Sequence, residues 1–432
     1  MTEISQITLR PVAAPVDRMV RLPGSKSLTN RALLAAALAR GRSQLAGILL
    51  ADDTRHMIRC LQTLGVPLAV DENARTARID GCGGFFPESE AGLYGGNAGT
   101  VIRFLAAACA ASRGEYQLDG DARMRQRPIA QLVDALRDLG AQIGYAEAEG
   151  YCPLSIHARG LRGGKIVFDR PVSSQFISAL LMAAPLASDD VMIDVSSGLP
   201  SAPYVKMTLA VMDAFGVTAV EDRMERFIVP APQVYTAAPY AVEPDASAAS
   251  YFFAAAALTG GRVTVEGLGT NSVQGDWGFV DVLRQMGCRV EADAHCTTVH
   301  GPPDCRLRGI DVDLGAMPDV APTLAVLAAF ADGPTRIRNV ANLRIKESDR
   351  LHALATELGH LGVSTEVFED GLMVRPDRPP VAGVIDTYDD HRIAMSFALA
   401  GLRLDGVTIR DPGCVEKTFP DFFRQWEQLQ GR

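Results

Sequence analysis

The 432-residue chain has little of several things that would have declared a function at once. Its eight cysteines are scattered, with no Cys-x-x-Cys pair and no histidine spacing of the kind that holds zinc. A disulfide framework and a structural metal are therefore not expected, and a reducing, cytoplasmic compartment is. Basic residues are outnumbered, 42 Lys and Arg against 51 Asp and Glu, for a net charge of −9. That balance argues against a nucleic-acid partner. No apolar run exceeds about eight residues, too short to span a bilayer. The first eleven residues hold no apolar segment of a secretory leader. A P-loop is absent too: Lys26 follows Ser25 rather than a glycine. Any anion site must be a local gathering of cations against an acidic background.

The clearest such gathering is Leu22-Pro23-Gly24-Ser25-Lys26-Ser27-Leu28-Thr29-Asn30-Arg31, followed by an Ala- and Leu-rich run over 32–39. Pro23-Gly24 breaks what precedes it, and Ser25 or Ser27 can cap a helix that the apolar run sustains. Lys26, Ser27 and Arg31 then stand at a helix N-terminus, where free N–H groups and the helix dipole favour an anion. A capped surface helix carrying two solvated cations is the plainer alternative.

The pattern of polar cluster followed by small-residue apolar helix recurs. It reappears at Asn97-Ala98-Gly99-Thr100 before 101–111, at Ser173-Ser174-Gln175 before 176–187, and at Asp245-Ala246-Ser247 before 248–258. Pro318-Asp319 before 320–331 and Asp389-Asp390-His391-Arg392 before 393–402 complete the set. Counted from Ser25, the spacings are 72, 76, 72, 74 and 70 residues, so six units of about 72 fill the chain. A fixed long period marks a supersecondary unit that cannot bury its apolar face alone. Between these helices, 54–64, 129–139, 204–215, 278–286 and 351–361 carry apolar residues at helical spacing, several followed by glycine and an alternating strand. Each unit thus reads as strand, apolar helix, strand, amphipathic helix, strand, strand. The apolar helices lack a polar face and belong inside, with sheet outside.

Six units predict two domains of three: 24–243, and 1–20 together with 245–432, with crossovers near 21–23 and 243–245. Residues 5–12 alternate like a strand and are expected to complete the second domain. Two crossovers would act as a hinge, and helix N-termini facing a cleft between the domains would add up to an anion trap.

Further cations lie at corresponding places: Arg103, then Arg123, Arg125 and Arg127 before Pro128, then Arg344, Lys346 and Arg350 around Glu347, then Arg392 and Lys417. With these in view, the chain resembles the 5-enolpyruvylshikimate-3-phosphate synthase family. The similar stretches are 22–31, Gly96-Asn97-Ala98-Gly99-Thr100 with Arg103, Arg127-Pro128-Ile129, Val172–Phe176, Ser201–Tyr204, Val242–Ser247, Asn342–Arg350, Tyr388–Met395 and Lys417–Asp421. The resemblance implies an α/β fold of two inside-out barrel domains, six βαβαββ repeats with three per domain. It also implies an activity, transfer of the enolpyruvyl group of phosphoenolpyruvate to the 5-hydroxyl of shikimate 3-phosphate, through a tetrahedral intermediate, on the route to chorismate and aromatic amino acids. That chemistry requires no metal and no redox cofactor. The partners implied are the two small substrates, with no nucleic acid and no membrane, and a monomer is expected.

Carried over by motif, the resemblance implies Asp319 as acceptor of the hydroxyl proton, with Glu347 and Lys26 handling the proton at the enol carbon. Lys26, Asn97, Gly99, Arg127, Gln175, Arg350, Arg392 and Lys417 would surround phosphoenolpyruvate. Lys26, Ser27, Arg31, Ser173, Ser174, Gln175, Ser201, Tyr204, Asp319, Asn342 and Lys346 would hold shikimate 3-phosphate. Phe104 stands where the best-known members have proline, which bears on inhibition by glyphosate, a ligand of the phosphoenolpyruvate site in this family. Two alternatives remain. The UDP-N-acetylglucosamine 1-carboxyvinyltransferases have Lys-Asn where this chain has Lys26-Ser27, and usually a loop cysteine that 112–128 lacks. A non-catalytic phosphoanion-binding protein would have no need of both Asp319 and Glu347.

Overall fold

A computed structural model describes residues 5–196 and 198–429. Residues 1–4, 197 and 430–432, which fall within the domain ranges expected from the sequence, lie outside the described residues. The chain divides into two compact units, one formed by Gly24–Glu243 and the other by the segments before and after it.

In the Gly24–Glu243 unit the apolar helices Lys26–Leu38, Gly99–Ala111 and Ser174–Ala183 are buried almost throughout. Alanine makes this possible: its short side chain lets backbones approach closely and adds no polar atom to satisfy. Some of the polar side chains inside are paired helix to helix. Asn30 donates to the Thr100 hydroxyl at 2.8 Å, and the Thr208 hydroxyl donates to Ser178 at 2.8 Å. Three four-stranded sheets cover the helices, and strands such as Arg113–Asp119 alternate buried and exposed residues, as a sheet with one wet face does.

The sheets share one pairing rule. The second strand joins the first in parallel, the third joins the second antiparallel, and the fourth joins the third antiparallel. Glu90–Tyr94, Arg113–Asp119, Leu154–Arg159 and Gln142–Tyr145 show it in full. The first strand of the first unit is Pro239–Ala241, which pairs in parallel with Arg40–Ala46 and so closes its domain from the far end. Where the chain enters this unit, a Cβ on Gly24 would lie 1.9 Å from the Gly47 carbonyl oxygen, so only glycine fits.

The other unit follows the same plan. Helix Ala246–Thr259 is buried over its whole length, and Ala321–Ala328 and His391–Phe397 likewise. Asp17–Val20, for which the alternation pattern gave no sign, pairs in parallel with Arg262–Glu266. Gln6–Thr8 pairs antiparallel with Thr408–Arg410. The sixth unit departs from the expected order. Its sheet has three strands, Val384–Ile385, Thr408–Arg410 and Gln6–Thr8. The amphipathic helix Phe422–Leu429 follows, burying Phe422 and Trp426. The last two inner helices are also shorter than the apolar runs predict. Ala321–Ala328 ends in 3₁₀-type bonds, the Phe330 N–H donating to the Leu327 carbonyl at 3.1 Å, and Ala400–Leu402 winds as a separate 3₁₀ turn. Among the described residues no helix is long and apolar enough to cross a membrane.

Candidate active site

Each unit gathers a cluster of charged side chains at the starts of its inner helices. In the Gly24–Glu243 unit, Ser25 caps the first helix by accepting from the Leu28 N–H at 3.4 Å. Lys26 is the first helical residue, and its Nζ lies 3.1 Å from Asp53 Oδ2 with both side chains largely buried. The Gly99 helix has no side-chain cap, because Ala98 occupies the cap position. Arg127 lies beside its start instead, Nη1 donating at 3.0 Å to both the carbonyl and the side-chain oxygen of Asn97. Arg103, one turn into the helix, donates to Gln175 Oε1 at 2.7 Å and to the Pro128 carbonyl at 3.2 Å.

These side chains converge on Gly99. A Cβ there would lie 2.4 Å from Arg103 Nη1 and 2.9 Å from both Arg127 Nη2 and Gln175 Oε1. The residues Asn97, Gly99, Arg127 and Gln175 are thus neighbours, with Arg103 among them. Arg103 and Arg127 bring two positive charges to this point, a setting suited to an anionic ligand.

Arg31 forms the second part of this cluster. It is completely buried, and its donors go to Thr208 Oγ1 at 2.7 Å, the Ser27 carbonyl at 2.9 Å, the Tyr204 carbonyl at 3.0 Å and Ser178 Oγ at 3.3 Å. Burial pulls its guanidinium down to about 10. Ser27, Arg31 and Tyr204 are thereby drawn together, with Ser201 three residues before Tyr204 at the cap of helix Ala202–Ala214. Ser201 has a left-handed φ of 53°, uncommon for a residue with a side chain and a feature that clusters at binding sites. Ser173 caps the third inner helix by accepting from the Gln175 N–H at 3.2 Å, and Ser174 is buried beside it.

The other unit builds its cluster around Asp319. This residue lies in the 3₁₀ turn Pro318–Val320. Its carboxylate goes to cations: Oδ2 is 2.7 Å from Arg392 Nη2, and Oδ1 is 3.5 Å from Lys346 Nζ and 3.4 Å from Arg350 Nη1. Arg350 is almost wholly buried and also pairs with Glu347 at 2.8 Å and Asp390 at 2.8 Å. Those carboxylates outweigh the cost of burial and hold its guanidinium above the ordinary range. Asp390 further accepts from Ser348 Oγ at 2.9 Å and caps the last inner helix through the Arg392 N–H at 2.9 Å. Asn342 sits in the 3₁₀ turn Ala341–Ile345 just ahead of Lys346. Lys417 ends the turn Pro412–Lys417, which packs on helix His391–Phe397.

Several members were not foreseen from the sequence. Asp53 was hidden in an acidic helix start, Asp52-Asp53, that reads equally well as dipole compensation. Asp390 stands in the quoted Tyr388–Met395 stretch, where its only legible part was a helix cap. Asp276 is buried, accepts from the Ser247 hydroxyl, and is pushed up to about 6 by burial, with the Asp319 charge adding to the rise. The Tyr251 hydroxyl lies 3.4 Å from Arg392 Nη1, and burial raises it to about 12. Neither Asp276 nor Tyr251 had a local signal beyond lying near a helix start.

Six helix-in-sheet units, with cations and carboxylates at the inner helix starts, define an α/β protein of two similar units built to hold anions. The chain belongs to the family of EPSP synthases, the 3-phosphoshikimate 1-carboxyvinyltransferases, whose family model matches residues 12–426. A 3-phosphoshikimate 1-carboxyvinyltransferase of Vibrio vulnificus is 48% identical over 429 residues, covering 99% of each chain. The EPSP synthase structure from Acinetobacter baumannii superposes with a TM-score of 0.82 at 27% identity, covering 98% of each chain. The enolpyruvyl transferase NikO of Streptomyces tendae, at 20% identity and a TM-score of 0.78 over 98% of this chain and 97% of its own, shares the fold.

Proposed function

We propose that the chain transfers the enolpyruvyl group of phosphoenolpyruvate to the 5-hydroxyl of shikimate 3-phosphate, with release of phosphate. The observation that carries the assignment of roles is Asp319, a carboxylate fixed by three cations, Arg392, Lys346 and Arg350. A carboxylate so placed can take a proton, while its cations are anion sites in their own right.

In this reading the 5-hydroxyl gives its proton to Asp319 and its oxygen bonds to the central carbon of phosphoenolpyruvate. The methylene carbon gains a proton from Glu347, with Lys26 assisting. The tetrahedral intermediate then returns a methyl proton to Glu347 as the C–O bond to phosphate breaks, which expels phosphate and leaves the enol ether product. Lys26, Asn97, Gly99, Arg127, Gln175, Arg350, Arg392 and Lys417 hold phosphoenolpyruvate. The geometry around Gly99 supports four of these, since a ligand there would meet Arg127 and Gln175 beside bare backbone. Shikimate 3-phosphate is held by Lys26, Ser27, Arg31, Ser173, Ser174, Gln175, Ser201, Tyr204, Asp319, Asn342 and Lys346. The hydrogen bonds of Arg31 to the Ser27 and Tyr204 carbonyls support part of that set.

The enzyme works as a cytoplasmic monomer on small molecules, without nucleic acid. The eight unpaired cysteines support the reducing compartment, and the net charge of −9 supports the absence of a nucleic-acid partner. The deciding experiment is phosphate release from phosphoenolpyruvate, followed with and without shikimate 3-phosphate. Release that needs shikimate 3-phosphate, and that UDP-N-acetylglucosamine does not elicit, is the expected result. No release with either acceptor would leave an anion-binding protein instead.

A further inference from the structure

Glu357 has no part in the chemistry above, yet it is completely buried. It lies on helix Arg350–His360, two turns beyond Arg350 and therefore on the same helix face. Its Oε1 accepts from the Tyr388 hydroxyl at 2.6 Å. Its Oε2 accepts from the Asp386 N–H at 3.1 Å and faces His360 Nδ1 at 2.9 Å. None of these partners is a lysine or an arginine. A buried carboxylate satisfied by hydrogen bonds is a costly way to gain stability, and an apolar side chain would fill the space more cheaply.

What it holds is unusual. Tyr388 and Asp389 both have left-handed backbones, with φ of 58° and 53°. Two such residues in succession, neither of them glycine, persist only where their surroundings impose the conformation. Directly after them come Asp390, gripped by Arg350, and Arg392, whose guanidinium ends 2.7 Å from Asp319. One helix therefore fastens the 386–392 segment at two points, Arg350 on Asp390 and Glu357 on Tyr388 and Asp386. Tyr388 is 39% exposed, and its hydroxyl turns back to the buried carboxylate.

The geometry points to Glu357, acting through Tyr388, as a positioning residue for the transfer reaction. It imposes the left-handed turn that aims Arg392 at Asp319 and at the anion Arg392 binds. The inference rests on the reading of Arg392 as a phosphoenolpyruvate cation.

Tyr388→Phe keeps the ring and removes one hydroxyl, so it is the decisive variant; Glu357→Gln accompanies it. Melting temperature, kcat and both KM values are measured in the parent and in an Arg392→Ala background. Tyr388→Phe should melt like the parent, raise KM for phosphoenolpyruvate about tenfold and leave KM for shikimate 3-phosphate within about twofold. In the Arg392→Ala background it should add less than about twofold, because coupled residues do not contribute additively. Glu357→Gln should repeat this pattern. An equal effect of Tyr388→Phe in both backgrounds overturns the inference, as does an unchanged KM for phosphoenolpyruvate while Arg392→Ala raises it. If Arg392→Ala leaves that KM unchanged, the reading of Arg392 fails and the inference falls with it.

Discussion

The guanidinium carbon of Arg31 lies 5.1 Å from the centroid of the Phe104 ring, so an aromatic face covers a cation that the fold has taken out of water. Phe104 is the residue that departs from the best-known members of the family, and the sequence connected it only with inhibitor response. The structure connects it with Arg31.

Phe104→Leu should therefore lower the stability of the fold. A desolvated cation–π contact contributes about 1–2 kcal/mol, and leucine keeps apolar volume in the space. Chemical denaturation of parent and variant checks this. An unchanged midpoint would mean that the ring only fills space.

Gly99→Ala places a methyl group against Arg103, Arg127 and Gln175. All three contacts are the far ends of flexible side chains, so they can give way and the fold should survive. The expected outcome is a near-normal melting temperature, a raised KM for phosphoenolpyruvate, and a larger rise in the inhibition constant of glyphosate, the longer ligand. In the parent, glyphosate should compete with phosphoenolpyruvate. Inhibition constants for both forms, measured against varied phosphoenolpyruvate, test both statements; a variant inhibited as strongly as the parent would contradict them.

Asp319→Asn keeps the volume and removes the proton acceptor. The fall in kcat should be about 10²–10⁴-fold, the range for general acid–base catalysis. KM for phosphoenolpyruvate should not rise, because Arg392, Lys346 and Arg350 lose a competing carboxylate. Near-full turnover would show that another group takes the proton.

Asp276 supplies a prediction about pH. Burial raises its carboxyl from 3.8 to about 6, so the folded protein binds this proton more tightly than the unfolded chain. The stabilising contribution is fully present below 3.8 and is lost as pH rises through 6. Asp276→Asn has no charge to bury. Relative to the parent it should gain stability at pH 7–8, and the gain should vanish near pH 4. Thermal melts of both forms across that range give the difference directly; a constant offset would assign the effect to packing.

The inner helices were legible because alanine- and leucine-rich runs without a polar face can only be interior, whatever surrounds them. The starts at Ser25, Ser173, Asp245 and Asp390 were legible because a capping side chain acts on N–H groups two or three residues away. At Asp319 the sequence showed only the start of a helix, whereas the structure brings three cations from other parts of the chain to its carboxylate.

The sequence by itself determined the six-unit period, the buried character of the inner helices and the gathering of cations at their starts. Each of these depends on residues close together in the chain. Only the tertiary structure decided which strand completes which sheet, such as Pro239–Ala241 beside Arg40–Ala46 and Asp17–Val20 beside Arg262–Glu266. It alone also decided that Asp53 meets Lys26, that Phe104 covers Arg31 and that Glu357 holds Tyr388. Strand pairing, ion pairing and ring stacking depend on distance in space, and residues far apart in sequence are brought within reach only once the sheets have closed over the helices.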